Sequence, residues 1–131
     1  MSLQEQGTPQ PVRILLMEDE DDQRRLYVRA LTQAGFAVEQ AATLQEARAL
    51  LANRHFDVLI CDIRMGNERG TDLLREEGPH LMRQGTEIIV LSAQEQYRAL
   101  CQDLGVDFFI TKPVSLIELT TLIRRLTGRE Q

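Results

Sequence analysis

The sequence predicts an α/β fold, a doubly wound five-stranded parallel sheet with helices on both faces. Two observations predict it. Five short runs, most of them near-continuously apolar, alternate with segments of helical spacing, as strands buried on both faces and their crossover helices must. The residues with chemical potential then fall just after four of those runs, where open parallel sheets place their sites. At 131 residues the chain is one domain's worth of sequence.

The apolar runs are residues 12–17, 57–61, 87–91 and 106–111, with a weaker one at 37–41. Between them, Leu26, Ala30 and Leu31 share one predicted helix face, and Leu44, Ala47, Leu50 and Leu51 a second. Tyr97, Leu100, Cys101 and Leu104 form another, as do Leu116, Leu119, Ile123 and Leu126. Thr43-x-x-Glu46 and Ser115-x-x-Glu118 read as capping boxes, and Gly35, Gly105 and Gly128 stand where helices should end. A further helix is expected over 73–83, interrupted at Gly78-Pro79. Residues 1–11 and 128–131 are expected to be tails flanking a domain at 12–127, the first of them disordered. Right-handed crossovers convert five strand–helix repeats into the sheet named above.

Composition narrows the function. Hydrophobic residues make up 43% and charged residues 27%, an ordinary globular balance. No apolar stretch reaches the length of a membrane span, and the first residues lack the pattern of a secretory signal. Two cysteines, Cys61 and Cys101, do not make a disulfide scaffold, so a reducing cytoplasm is the expected setting. A net charge of -5 argues against direct nucleic-acid binding. Of fifteen basic residues fourteen are arginine, and Lys112 is the sole lysine. Either its survival is chance, or that site needs a compact ammonium rather than a planar guanidinium.

After the first run comes Glu18-Asp19-Glu20-Asp21-Asp22; after the third, Asp62; after the fourth, Ser92 and the small Ala93; after the fifth, Lys112-Pro113. Each has an ordinary reading. Acids open helices favourably, an aspartate ends many strands, and a lysine suits a surface turn. On one sheet edge they make a chemical set. Carboxylates sharing a pocket need a cation, and hard oxygens with room for water suit Mg²⁺. A metal, an ammonium and a hydroxyl together serve a phosphoryl group, with a carboxylate as nucleophile.

With these residues in place, the chain resembles a response-regulator receiver domain of two-component signal transduction, the flavodoxin-like fold of the CheY-like family. Asp57-Val-Leu-Ile-Cys-Asp62-Ile-Arg-Met65-Gly66-Asn-Glu-Arg-Gly70 is similar to the family's phosphoacceptor segment. Ile14-Leu-Leu-Met-Glu18-Asp19-Glu20 resembles its acidic strand end, Ile88-Ile-Val-Leu-Ser92-Ala93 its Ser/Thr-Ala strand, and Phe108-Phe109-Ile-Thr-Lys112-Pro113 its Lys-Pro segment. The resemblance implies that Asp62 takes a phosphoryl group from a sensor histidine kinase or phosphotransfer protein. It implies that Asp19 ligates Mg²⁺ directly, Glu18 through water, Asp62 by its carboxylate and Arg64 by its backbone carbonyl. Ser92 and Lys112 would contact the phosphoryl oxygens, and Phe109 would be the aromatic switch residue. Ser92 is expected to carry the nearest uncommitted hydroxyl, and Phe109 to lie inward. The protein would be a switch rather than an enzyme, autophosphatase activity aside, with the fourth helix, fifth strand and fifth helix as output and dimer face.

The sequence departs from the family at Gly66, where proline is usual, which is expected to loosen the loop after Asp62. The segment 92–105 is also short, at the helix that moves on activation. Three other classes fit the sequence less well. A haloacid-dehalogenase-type phosphatase needs a second acid two residues after its nucleophile, where this chain has Arg64. A flavodoxin-like cofactor binder needs a phosphate cradle where this chain has five acids. A receiver that has lost phosphorylation would lack some of the key residues, and all are present.

Overall fold

The computed structural model describes residues 10–128; most of the two expected tails, residues 1–9 and 129–131, lies outside them. The elements run β1 (Arg13–Met17), α1 (Asp21–Gln33), β2 (Ala37–Ala41), α2 (Leu44–Asn53) and β3 (Val58–Asp62). A two-stranded hairpin follows, β4 (Arg64–Met65) and β5 (Glu68–Arg69), then α3 (Gly70–Arg83) and β6 (Glu87–Ser92). A 3₁₀ turn at Glu95–Tyr97 leads into α4 (Arg98–Asp103), β7 (Phe108–Thr111) and α5 (Leu116–Leu126).

Five strands form the main sheet in the order β2-β1-β3-β6-β7, all parallel. The chain steps outward from β1 to β2, then crosses back to β3. The crevice beyond the carboxyl ends of β1 and β3 is therefore the switch point at which such sheets bind ligands. Every residue of β3 is buried, as its unbroken apolar run requires. Two apolar cores lie one on each face. Tyr27, Leu31, Leu119 and Ile123 of α1 and α5 cover one. Leu44, Leu73, Leu81 and Cys101 of α2, α3 and α4 cover the other.

Three local expectations are corrected. Leu26 is 54% exposed, and the buried face of α1 is Tyr27 and Leu31, one position round the helix. Pro79 does not interrupt α3, which runs through it because Leu73 and Leu74 before it and Leu81 after it are all anchored in the core. The fifth sheet strand starts at Phe108, not at 106, because the Val106 N–H turns back to the Cys101 carbonyl across left-handed Gly105 and closes α4. The loop after Asp62 forms a two-stranded hairpin. Gly66 adopts φ +63°, which proline cannot, and so makes the tight turn to Asn67.

The predicted caps form. Thr43 Oγ1 accepts from the Glu46 N–H at 3.1 Å, and Ser115 Oγ from the Glu118 N–H at 3.2 Å. Glu20 caps α1 with both oxygens, accepting from the N–H groups of Asp22 and Gln23. No helix among the described residues is long and apolar enough to cross a membrane.

Candidate functional site

The strand register gathers the four predicted groups. Asp62 ends β3, opposite Leu91 of β6, and Ser92 ends β6, opposite Thr111. Glu18 follows β1 directly; its N–H bonds the Ala41 carbonyl at 3.0 Å, extending the ladder to β2 by one rung. The Lys112 N–H bonds the Ser92 carbonyl at 2.8 Å, and its peptide bond to Pro113 is cis.

Lys112 is the hub. Its Nζ donates to Asp62 Oδ2 at 2.7 Å, to Gln23 Oε1 at 3.0 Å and to Glu18 Oε1 at 3.1 Å. An ammonium has three protons, so all are used. Ligating oxygens of Glu18, Asp19 and Asp62 all lie within 4.8 Å of one another. Glu18 and Asp62 are buried, while Asp19 is exposed. Burial, then the charge of Asp62 and a hydrogen bond with it, pushes the Glu18 carboxyl up to about 7 against the opposing pull of the Glu20 N–H and Lys112. Burial alone would lower the Lys112 ammonium; hydrogen bonds and charges from Asp62 and Glu18 outweigh it and raise it. One lysine thus leaves the acidic cluster short of positive charge. That deficit, with three hard oxygen donors around a solvent-open cavity of about 300 Å³, fits a divalent cation of the Mg²⁺ type.

Asp62 is oriented on its other side as well, its Oδ1 accepting from the Arg64 N–H at 3.1 Å. The Gly66 N–H donates to Asp19 Oδ2 at 2.8 Å, so the hairpin turn is tied to the acidic loop. Proline at 66 could make no such bond. Ser92 is buried at the end of β6, but its hydroxyl is already engaged, accepting from the Gln94 N–H at 2.9 Å and donating to the Gln94 carbonyl at 3.3 Å. The expectation of an uncommitted hydroxyl is thereby corrected: two residues on, the backbone turns and offers both a donor and an acceptor. Ala93, beside it, lines the cavity. Phe109 lies inward, 9% exposed, with the Arg98 guanidinium 4.7 Å from its ring centre. Arg98 also donates to the Phe109 carbonyl and pairs with Glu95, and Glu95 accepts from the Thr111 hydroxyl.

Sequence reasoning missed Gln23, Arg24 and Arg98. Arg24 donates to the Glu18 carbonyl at 3.1 Å, to Gln40 Oε1 at 3.0 Å and to Asp21 at 2.6 Å, holding the acidic loop against β2. Each sits within six residues of a strand-end group or in the following helical turn, which was the available signal.

The comparisons with known proteins agree with this geometry. Residues 14–124 match the family model described as response regulator receiver domain. Among curated relatives, response regulator MprA of Mycobacterium sp. (strain KMS) is 33% identical over 123 residues, covering 91% of this chain and 52% of that protein. The chain spans about half the length, or less, of the first curated relatives it matches. Among solved structures, a CheY-like receiver domain protein from Methanospirillum hungatei JF-1 superposes with a TM-score of 0.80 at 29% identity, covering 92% of this chain and 97% of that one. Response regulator TrrA from Thermotoga maritima, solved with Mg²⁺ and BeF, superposes at 0.77 with 26% identity, covering 88% and 98%. A five-stranded parallel sheet, an acidic crevice at its switch point and a family match over most of the chain have one conclusion: the protein belongs to the response regulator receiver domain family of two-component signalling.

Proposed function

We propose that this domain is a phosphorylation-dependent switch in which Asp62 accepts a phosphoryl group from a phosphohistidine on a sensor histidine kinase or phosphotransfer protein. The observation that supports it is the placement of Lys112 Nζ, 2.7 Å from a buried Asp62 carboxylate at the mouth of the acidic cavity. An Asp62 oxygen attacks phosphorus and forms an acyl phosphate. The phosphorus–nitrogen bond breaks, and its electron pair returns to the imidazole. Lys112 and the Arg64 N–H keep the carboxylate aimed. Glu18, Asp19 and Asp62 would hold Mg²⁺, which when bound supplies charge neutralisation for the phosphoryl oxygens. The domain acts as acceptor, and its own later hydrolysis of the acyl phosphate resets it.

The loaded state adds charge and acceptor oxygens at the end of β3, next to the end of β6. Ser92 then turns its hydroxyl proton from the Gln94 carbonyl to a phosphoryl oxygen. The 3₁₀ turn and α4 follow, changing the face of α4, β7 and α5 that meets an effector or a second copy.

Incubation with acetyl phosphate and Mg²⁺, followed by intact-mass measurement, should add one phosphoryl group. Asp62→Asn should add none at that site. Undiminished labelling of the variant, or no labelling of the unaltered chain by any phosphodonor, would overturn the reading.

A further inference from the structure

Gln23 stands in the first turn of α1, where a polar side chain needs no special reason. Its place is nevertheless set from two sides. Its N–H is capped by Glu20 Oε2 at 2.8 Å, and its Oε1 accepts from Lys112 Nζ at 3.0 Å. With the oxygen fixed by an ammonium, which can only donate, the orientation of the carboxamide is fixed too. The carboxamide nitrogen is left as a donor with no acceptor among the described residues. It borders the same cavity as Asp62, Ala93 and Lys112.

Lys112 has no spare proton. To reach a phosphoryl oxygen it must release one of its three acceptors. Asp62 Oδ2 is the one given up, because Asp62 is no longer an ionised carboxylate once it carries the phosphoryl group. Lys112 keeps the Gln23 oxygen and so holds the carboxamide at the cavity, its nitrogen free to donate to the same anion. Glutamine is suited to this place because it both accepts and donates; glutamate only accepts, and methionine of similar length does neither. Glu20, the other polar neighbour from this loop, has both oxygens committed to the α1 cap.

We propose that Gln23 is a further phosphoryl-binding residue, accepting from Lys112 in the resting state and donating to the phosphoryl group on Asp62 in the loaded state. The proposal rests on the phosphoacceptor reading of Asp62, and the test separates the two. The probe is beryllofluoride with Mg²⁺, titrated by calorimetry into the unaltered chain and into Gln23→Met, Gln23→Ala and Gln23→Glu. Affinity should fall roughly tenfold in the Met and Ala variants, the size of one hydrogen bond to a charged group. It should fall at least as far in Gln23→Glu, whose charge opposes the anion. Affinity for Mg²⁺ alone and the melting temperature should hold in Gln23→Met. Beryllofluoride binding by Gln23→Met at the unaltered affinity overturns the role of Gln23. So does a loss matched by equal losses in Mg²⁺ affinity and melting temperature. An unaltered chain that binds no beryllofluoride overturns the phosphoacceptor reading, and this inference with it.

Discussion

The two halves of the strand-end crevice are held together by different kinds of bond. Around Asp62 the ties are long in sequence: Lys112 reaches Glu18, Gln23 and Asp62 across separations of 94, 89 and 50 residues. Around Ser92 they are mostly short. Ser92 meets Gln94 two residues on, and Arg98 meets Glu95 three residues back. The first half exists only when the whole sheet is assembled, and one lysine holds it. The second can shift as a local unit, since its links to Phe109 and Thr111 are exposed or half-exposed. Partition of this kind suits a switch: the chemistry stays where the fold is rigid, and the movement occurs where bonds are local.

The comparison breaks most severely at Lys112. Lys112→Ala leaves two buried carboxylates without their cation, at a cost of about 2–3 kcal/mol given the partly open cavity. Chemical denaturation at neutral pH should show that loss, and lowering the pH to the range where Glu18 protonates should recover much of it. A loss independent of pH would mean that the lysine acts by packing.

The next effect is the pH dependence of the unaltered chain in chelator. Glu18 titrates near 4.5 when unfolded and near 7 when folded, so between those values the folded state binds more protons. Stability is therefore greatest below the lower value and declines as pH rises toward 7, by on the order of 2 kcal/mol. Millimolar Mg²⁺ should flatten the decline by stabilising the ionised form, and Glu18→Gln should abolish it. A curve flat from pH 4.5 to 7 in chelator would contradict the burial of an ionisable Glu18.

Gly66 sharpens the boundary between the halves. Gly66→Pro removes the bond to Asp19 and demands a negative φ, so it should cost about 1–2 kcal/mol and weaken Mg²⁺ binding. Gly66→Ala keeps the N–H and should lose stability while retaining more of the metal affinity. Equal metal affinity in both would show that the hairpin tie does not orient Asp19.

Arg98→Ala should have the smallest effect on stability, because its pairs are exposed. Its signature is local: amide exchange should quicken over 95–103 and around Phe109, with the amides of Glu18 and Asp62 unchanged. Exchange that quickens at Asp62 as well would mean that the two halves are not separable.

The difference between the halves also explains what the sequence revealed. Glu18, Asp19, Asp62, Ser92 and Lys112 were legible because each lies at or just beyond the end of an apolar run, buried throughout most of β1, β3 and β6 and half-buried in β7. The sheet and its helices followed from the same periodicity. Gln23, Arg24 and Arg98 were not legible, because a long polar side chain on a helix reads alike whether it faces water or reaches back to a strand end. The hairpin escaped because two-residue strands are too short to have a period. Leu26 was misplaced because the aromatic Tyr27 next to it, not the leucine, takes the inward position.

Gly70 has a mechanical consequence. A Cβ there would lie far inside contact with the Asp62 carbonyl and the Cys61 sulfur, and its N–H bonds the Ile63 carbonyl at 2.7 Å. The first turn of α3 and the last residues of β3 are thus welded into one rigid lever arm, with no slack for a side chain between them. A shift of the Asp62 backbone would therefore carry the start of α3 with it. A saturation library at position 70, selected for folded protein, should return glycine alone.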